Sequence, residues 1–455
     1  MNRRELLASA GLAAGTTATW SGLLAPVNAV AADARPVRIK NIETFNIVIP
    51  ATDTEVQAGV MNRIGVTRVV TDSGVRGYAF SGGGGGGGGR GAAAAGAAGR
   101  GAPAAGAGGR GAEGRGGAAQ AAAGRGGAAG RGVAGRGLPS AQQVRQALIG
   151  ADLFAMEQHL KRGLLYQGVL EEALWDTIGR VAGQPVFRLL GGSKTSIPVY
   201  ITAVWQGGTD QSQVPIKDQA VYARRLKDAG FTGFKMRIFR PNFMDDVESC
   251  AGIIAACGPA PGFKVMVDRT ASNPGWVWDY ATGLAAARAL EAVGVYWLEE
   301  PFARDDFETP ARLAREVDIP VTGGEGWRGL DAFREGLVRE TYDVIQPDLD
   351  TCGGLFTMRK IAAMCEAFHK PCIGHGAFGL NVAGRIQAHA AYGAPLEEFA
   401  LATPPLLPQE QWAPALKILN QKELYTFRNG EVQVPQGPGL GLDINEEAIE
   451  RYRVQ

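Results

Sequence analysis

Hydrophobic and polar residues follow different patterns in the first and second parts of the chain. β-branched residues dominate positions 37–49 and 64–80, and the turn-forming Thr71-Asp72-Ser73-Gly74 lies inside the second stretch. Such runs, separated by a turn signal, are typical of neighbouring strands. The sequence therefore predicts a small antiparallel sheet with a hairpin at 71–74.

From Ser140 onwards apolar residues recur at helical spacing. The first helical stretch carries four of them and the second three: Val144, Leu148, Leu153 and Leu160, then Leu170, Leu174 and Ile178. Gly191-Gly192 ends this part of the chain, because paired glycines interrupt helices. Together with the first sheet, these helices predict an N-terminal α+β capping domain.

After Pro198 short apolar strands alternate with helical stretches, of which 219–229 and 354–369 are the clearest. Eight such strands favour a closed parallel barrel of the TIM type. An open doubly wound sheet is the alternative, but no glycine-rich fingerprint joins a strand to a helix here. The candidate strands are 199–204, 233–238, 264–267, 295–298, 320–322, 343–346, 372–374 and 396–399.

Positions 82–137 consist almost wholly of Gly, Ala and Arg, and seven arginines against one glutamate give a net charge of +6. This composition cannot bury enough apolar surface to form a core, so we expect disorder. A polyanion-binding arm is one interpretation. We favour a tolerated insertion, because loop closure entropy grows slowly with length and no aromatic residue is available for base stacking.

The first residues resemble an export signal. Arg3-Arg4 precedes a mild apolar run that reaches Leu24, and Ala29-Val30-Ala31 offers a cleavage site. This order favours a twin-arginine-like signal peptide, so we expect a periplasmic or otherwise exported protein. A membrane anchor is the alternative, but the run is short for a span. We expect no membrane span in the mature chain.

Composition narrows the function only a little. The formal net charge of +1 on 455 residues points to no particular partner, and nucleic acid is not expected to be one. Five scattered cysteines fit neither a disulfide scaffold nor a zinc site, so we expect buried thiols.

Charged residues lie at the ends of successive predicted barrel strands. Because the carboxyl ends of barrel strands meet at one mouth, these side chains should converge there. Three carboxylates on adjacent strands suit a hard cation such as Mg²⁺, whereas the absence of Cys and His from those strand ends disfavours zinc. The charged strand ends are Lys235 and Arg237, Asp268, Glu299-Glu300, Glu325, Asp348, His375 and Glu397-Glu398.

Each of these residues alone has a plainer interpretation. A single Asp or Glu at a strand end is most often a helix cap or a solvated loop residue. Lys235 and Arg237 could lie on the surface, and His375 between two glycines could be a structural loop histidine. Their order on successive strands is what favours a site.

The order of these motifs resembles the mandelate racemase branch of the enolase superfamily. The resemblance extends from about Val37 to the end of the chain, apart from the insert. It includes the lead-in Glu171-Glu172-Ala173-Leu174-Trp175-Asp176 and the tail Gly437-Pro438-Gly439-Leu440-Gly441. The barrel motifs are Lys235-Met236-Arg237, Val267-Asp268, Trp297-Leu298-Glu299-Glu300-Pro301, Gly324-Glu325, Gln346-Pro347-Asp348 and Gly374-His375-Gly376.

The resemblance implies a small-molecule carboxylate as substrate, further copies of the chain in a homo-oligomer, and a role for each site residue. Mg²⁺ would be held by Asp268, Glu299 and Glu325, and it would stabilise the charge that develops on a substrate carboxylate. His375 would be the general base, oriented by Asp348. The remaining pair would contact the carboxylate: Lys235 would add positive charge beside it, and Glu398, preferred over Glu397, would hydrogen-bond to its opposite oxygen.

One position departs from the mandelate racemase pattern. Arg237 stands where that enzyme has a second lysine base, and arginine stays protonated. One base, His375, suffices for elimination, so we expect dehydration of a sugar acid to a 2-keto-3-deoxy acid. A racemase, epimerase or cycloisomerase of the same family is the alternative. A polyanion-binding protein that acts through the Gly/Arg segment is the alternative of another class.

These observations divide the chain into six parts. A signal peptide (1–31) precedes the start of the capping domain (32–81), the insert (82–137) and the helical part of the capping domain (138–196). The catalytic barrel (197–400) follows, and the C-terminal segment (401–455) returns to complete the capping domain. The expected fold class is thus α/β, a TIM-type barrel with an N-terminal cap.

Overall fold

The computed structural model describes residues 36–52, 62–82, 139–203, 215–271, 276–376, 379–401 and 413–454. The predicted signal peptide lies outside these residues, and so does the predicted insert apart from Gly82. In the part of the chain that the structure describes, no helix combines the length and the apolarity that a membrane crossing requires.

The first three strands form the antiparallel sheet that the sequence predicts. They are β1 (Ile39–Val48), β2 (Arg63–Thr71) and β3 (Arg76–Gly82). β2 lies between β1 and β3, and the predicted turn joins it to β3. Gly74 has a φ of 87°, which an L side chain rarely adopts, and its N–H donates to the carbonyl of Thr71. The hairpin prediction is confirmed.

Four helices follow this sheet along the chain. Ser140 begins the first with a reciprocal capping box to Gln143, and helix Gly168–Ala182 packs on β3. The predicted apolar residues are buried, although Leu153 lies between helices rather than on one. The helices are Ala141–Leu148, Met156–Lys161, Gly168–Ala182 and Val186–Leu189.

The C-terminal segment returns to this capping domain. Its last strand, β13 (Arg453–Val454), pairs antiparallel with β1. The buried carboxylate of Asp176 ties three parts together, because it accepts hydrogen bonds from the backbone N–H groups of Tyr78 and Leu440, both at 2.8 Å, and from Arg180 Nε at 2.6 Å. One carboxylate thus joins β3, its own helix and the tail.

Parallel strands form the barrel, and its eighth strand pairs with its first, as closure requires. Strand seven differs from the prediction. Segment 372–375 forms two isolated bridges in place of a strand ladder, one from Cys372 to Ile345 and one from His375 to Asp348. The other strands are β4 (Ser196–Ala203), β5 (Gly233–Arg237), β6 (Lys264–Asp268), β7 (Trp297–Glu299), β8 (Val321–Gly323), β9 (Val344–Ile345) and β10 (Glu397–Leu401).

Helices alternate with these strands, and a short hairpin of β11 (Phe427–Arg428) and β12 (Glu431–Gln433) extends the sheet beside β4. The barrel helices are Ile216–Asp228, Phe243–Cys257, Tyr280–Ala292, Glu308–Glu316, Gly329–Val338, Leu349–Cys352, Leu355–Ala367 and Val382–Tyr392, and helix Glu446–Arg451 lies in the tail. All five cysteines are buried free thiols, as predicted.

A buried glutamate joins the capping domain to the barrel. Glu171 accepts hydrogen bonds from the N–H groups of Leu355 at 2.7 Å and Phe356 at 2.8 Å, at the start of helix Leu355–Ala367. Trp175 Nε1 donates to it as well. Burial raises the pKa of Glu171 to about 8, although all three donors oppose this shift. The helix start is therefore capped by a side chain from the other domain.

Replacing Asp176 with Ala should lower the melting temperature substantially. The change leaves two buried N–H groups and Arg180 without their acceptor, a loss of roughly 3–5 kcal/mol. In a chain of this size that corresponds to a fall of about 3–5 °C in differential scanning calorimetry. Asp228→Ala is the matched control, because its ion pair with Arg224 is more than half exposed. Equal shifts in the two variants would contradict this role for Asp176.

Candidate active site

The register of the barrel strands brings the predicted residues to one level. Arg237 is paired with Asp268, and Asp268 with Glu299, across three adjacent parallel strands. Glu325 follows two residues after β8, and Asp348 is bridged to His375. The convergence at the carboxyl ends of the strands, predicted from the sequence, is therefore present in the fold.

Lys235 lies at the centre of the buried charges. Its Nζ is 2.9 Å from both carboxylate oxygens of Glu299 and 2.8 Å from Oε1 of Glu398. Lys235 has no exposed surface. Burial opposes its charge, but Glu299 and Glu398 outweigh that effect and raise the pKa of Lys235 well above its usual range. The side chain is therefore a fixed ammonium shared by two carboxylates.

Buried negative charge lies close to Glu299. Burial, with Asp268 and Glu398 nearby, raises the pKa of Glu299 to about 7 despite the attraction of Lys235. Gln346 Nε2 donates to Glu299 Oε2 at 2.9 Å. One lysine and one amide thus do not balance the carboxylates at this point, and the site favours additional positive charge.

Arg237 faces Asp268 from the neighbouring strand. Its Nη1 lies 3.0 Å from Asp268 Oδ2 and donates to the hydroxyl of Thr270. Thr270 in turn donates to Asp268 Oδ1 through its N–H at 2.6 Å and its hydroxyl at 2.7 Å. Burial opposes the charge on Arg237, but Asp268 and Glu325 outweigh it and raise the pKa of Arg237. The guanidinium is thus a permanent cation.

His375 lies between two carboxylates. Its Nδ1 is 3.3 Å from Asp348 Oδ2, and its Nε2 is 2.7 Å from Glu325 Oε2. Asp348 is itself fixed, because its other oxygen accepts the N–H of Thr351 at 2.9 Å. Burial opposes protonation of His375, but Glu325 and Asp348 outweigh it and raise its pKa. The geometry therefore places Asp348, His375 and Glu325 in a row, with the imidazole between the two carboxylates.

Arg304 holds the outer side of the carboxylate cluster. Its Nε donates to Glu300 Oε2 at 2.8 Å, and its Nη2 contacts Glu325 Oε1. Burial opposes ionisation of Glu325, but His375 and Arg304 outweigh it and lower the pKa of Glu325. Glu300 has a φ of 47°, an unusual value for a residue with a side chain, so the chain turns sharply after β7.

The two adjacent glutamates of β10 point to different environments. Glu398 accepts from Thr202 and from the N–H of Gly376 at 2.7 Å, besides its contact with Lys235. Glu397 instead contacts Arg385 Nε and His389 Nδ1, both at 2.6 Å, away from the mouth. Of the two, Glu398 is the one that faces the other predicted site residues.

The structure brings all the predicted site residues to the barrel mouth. Glu299, Glu325 and His375 offer ligand atoms within 4.8 Å of one another. Asp268 is not in this group; it is paired with Glu299 in the strand register and accepts a hydrogen bond from Arg237. Four neighbours were missed by the sequence analysis: Thr202, Gln346, Thr270 and Arg304. Gln346 belongs to the Gln346-Pro347-Asp348 motif and could have been found there, but the others carry no distinctive local pattern.

A family model described as enolase C-terminal domain-like matches residues 218–448. The chain is 31% identical over 296 residues to the arabinonate dehydratase of Saccharolobus solfataricus, across 64% of this chain and 74% of that protein. It is 30% identical over 326 residues to the 3,6-anhydro-alpha-L-galactonate cycloisomerase of Streptomyces coelicolor, across 69% of this chain and 82% of that one.

Among solved structures, a racemase from Streptomyces coelicolor with bound magnesium has a TM-score of 0.64 and 22% sequence identity, and the match covers 91% of this chain and all of that chain. This likeness concerns the fold: a TIM-type barrel with an N-terminal capping domain. The family match covers half of the chain, and the motifs lie at the ends of the barrel strands in the expected order. The chain therefore belongs to the enolase superfamily.

Proposed function

We propose that this protein removes the proton next to a carboxylate with the help of Mg²⁺, and that it dehydrates a sugar acid to a 2-keto-3-deoxy acid. The observation that carries the proposal is the position of His375, between Asp348 and the carboxylate cluster, with a permanently charged arginine in place of a second base. The similarity to a protein named arabinonate dehydratase supports the choice of sugar acids.

The donor set fits magnesium. Asp268 and Glu299 end adjacent strands, and Glu325 follows the next strand by two residues. All three offer carboxylate oxygens, which Mg²⁺ prefers over other ligands, and ligand atoms of Glu299 and Glu325 lie within 4.8 Å of each other. The raised pKa of Glu299 also indicates that the cluster favours another cation. When bound there, the ion would supply positive charge against the negative charge that develops on a substrate carboxylate.

His375 would act as the general base, and Asp348 would orient its ring. The Nδ1 contact with Asp348 leaves Nε2 on the side of Glu325, one of the carboxylates at the barrel mouth. Among the charged groups around His375, Glu325 raises its pKa the most. A cation that neutralises Glu325 would lower this pKa toward the range in which an imidazole accepts protons.

Lys235 and Glu398 would bind the substrate carboxylate from two sides. Lys235 is a buried ammonium. Its attraction to the substrate oxygens would strengthen as negative charge develops on them, because the site is poorly solvated. Glu398 lies within hydrogen-bonding distance of Lys235, of Thr202 and of the Gly376 N–H. Burial opposes ionisation of Glu398, but Lys235 and His375 outweigh it and lower the pKa of Glu398. Glu398 would therefore donate to a substrate oxygen only after taking up a proton, because an ionised carboxylate only accepts.

In this proposal, Arg237 is the residue that favours elimination over racemisation. A racemase needs a proton acceptor on each face of the reacting carbon. Arg237 is held protonated by Asp268 and Glu325 and cannot serve as one. With His375 as the sole base, the proton is taken from one face, and the same imidazolium can protonate the leaving hydroxyl. Elimination therefore follows more directly than racemisation.

A screen of sugar acids with Mg²⁺ and detection of 2-keto products tests this function. We expect at least one aldonic or aldaric acid to give a keto product with loss of one water. Similarity to a cycloisomerase makes anhydro sugar acids and lactones the comparison set. Turnover of that set alone, with no keto product from any open-chain acid, would favour the isomerase alternative.

Replacing Glu325 with Gln should weaken Mg²⁺ binding by at least about tenfold and abolish turnover, because a neutral amide replaces a charged ligand. Titration calorimetry with Mg²⁺ measures the first effect without reference to activity. Glu366→Gln, on an exposed position of helix Leu355–Ala367, is the control and should leave the affinity unchanged. Full activity of the wild-type enzyme after exhaustive chelation would refute the metal requirement.

Replacing His375 with Asn should remove both dehydration and solvent exchange of the α-hydrogen. Loss of a positioned general base costs about two to four orders of magnitude in rate. His369→Asn is the matched control, since His369 is exposed and has a φ of 55°, which asparagine tolerates. Proton exchange that continues at the wild-type rate in the His375 variant would show that another group is the base.

A further inference from the structure

The segment that carries His375 is attached to the rest of the barrel unevenly. On one side, backbone bridges join Cys372 to Ile345 and His375 to Asp348. On the other side lies β10, and among the residues that the structure describes no backbone ladder is recorded between β10 and segment 372–375. On this side, backbone N–H groups of the segment around His375 donate hydrogen bonds to side chains.

Two of these hydrogen bonds fix the residues immediately before and after His375. The N–H of Gly374 donates to Nε2 of His389 at 2.8 Å. The N–H of Gly376 donates to Oε2 of Glu398 at 2.7 Å. The backbone of His375 is therefore held between a side chain of helix Val382–Tyr392 and one of β10.

His389 is itself oriented from behind. Because Nε2 accepts the Gly374 N–H, the ring proton of a neutral imidazole lies on Nδ1. Nδ1 is 2.6 Å from Glu397 Oε2, and Arg385 Nε donates to Glu397 Oε1, also at 2.6 Å. Arg385 additionally contacts the backbone carbonyl of Glu398. The three side chains have no exposed surface, so water does not compete for these contacts.

Gly374 rests directly on this network. A Cβ atom at this position would lie 2.7 Å from His389 Nε2, closer than real Cβ atoms approach other atoms, and 3.0 Å from Arg385 Cδ, which is a tight contact. The absence of a side chain therefore lets the backbone reach the ring of His389. Because the backbone of Gly374 and the ring of His389 are in contact, a displacement of the ring would shift this backbone.

We propose that His389 is a positioning residue that holds the 374–376 segment, and with it the ring of His375, at the barrel mouth. Glu397 and Arg385 orient His389 from the side away from the mouth. This inference rests on the proposed function only in assigning proton abstraction to His375. A base displaced by about 1 Å loses roughly a hundredfold in rate, so a buried anchor of this kind bears directly on turnover.

Two conservative substitutions separate positioning from stability. Glutamine places its carbonyl oxygen as many bonds from Cβ as Nε2 is, so His389→Gln can still accept the Gly374 N–H. Asparagine places its amide nitrogen as many bonds from Cβ as Nδ1 is, so His389→Asn keeps a donor for Glu397 but loses the acceptor for Gly374. Each variant retains one of the two contacts.

We expect His389→Asn to lower kcat about 10- to 100-fold with little change in KM, and His389→Gln to retain kcat within about threefold. Melting temperatures should fall by similar amounts in both. Hydrogen–deuterium exchange of the peptide covering 370–376 should accelerate in the Asn variant alone. This last measurement does not depend on activity, so it tests the anchor even if no sugar acid is dehydrated.

Equal losses of kcat in both variants, parallel to their losses of stability, would overturn the proposal, because His389 would then be merely structural. Full kcat in His389→Asn together with a fast-exchanging 370–376 peptide would overturn it as well, since the anchor would not govern the base. If wild-type protein dehydrates nothing while the exchange pattern is as expected, the proposed function fails and the anchor stands.

Discussion

The burial of several carboxylates at the mouth of a parallel barrel is the constraint on which the rest of this structure depends. Glu299, Glu398 and Asp268 are almost fully buried, and each needs compensating positive charge. Lys235 supplies it for the first two and Arg237 for the third. The compensation is incomplete, as the raised pKa of Glu299 indicates. Incomplete compensation of this kind favours the approach of a further positive charge.

The surrounding architecture keeps these charges in place. Parallel register aligns Arg237, Asp268 and Glu299 without help from loops, because each ends a strand that pairs with the next. The capping domain is held to the barrel by Glu171, which caps a barrel helix, and to the C-terminal tail by Asp176. Both carboxylates lie in the same helix, Gly168–Ala182. This helix therefore connects the sheet of the cap, the barrel and the end of the chain.

Much of this arrangement could be predicted from the sequence, because it depends on local patterns and on one topological rule. Strand ends of a parallel barrel meet at one mouth, so Asp268, Glu299 and Glu325 could be grouped without any coordinates. The choice between Glu397 and Glu398 could only be expressed as a preference, since adjacent strand residues point to opposite sides and the sequence does not say which is which. The contacts of Arg304 and His389 could not be predicted, because their partners are brought together only by the tertiary fold.

The central claim is that a single imidazole, held between Asp348 and the carboxylate cluster, takes a proton from one face of a carbon acid. The most direct measurement follows a sugar acid that the enzyme accepts, with Mg²⁺ in deuterium oxide, by proton NMR at partial conversion. The account predicts a 2-keto-3-deoxy product, together with residual substrate that keeps its configuration whether or not it has acquired deuterium. Accumulation of the deuterated C2 epimer without any keto product would contradict it, since a second base would then have to act on the opposite face.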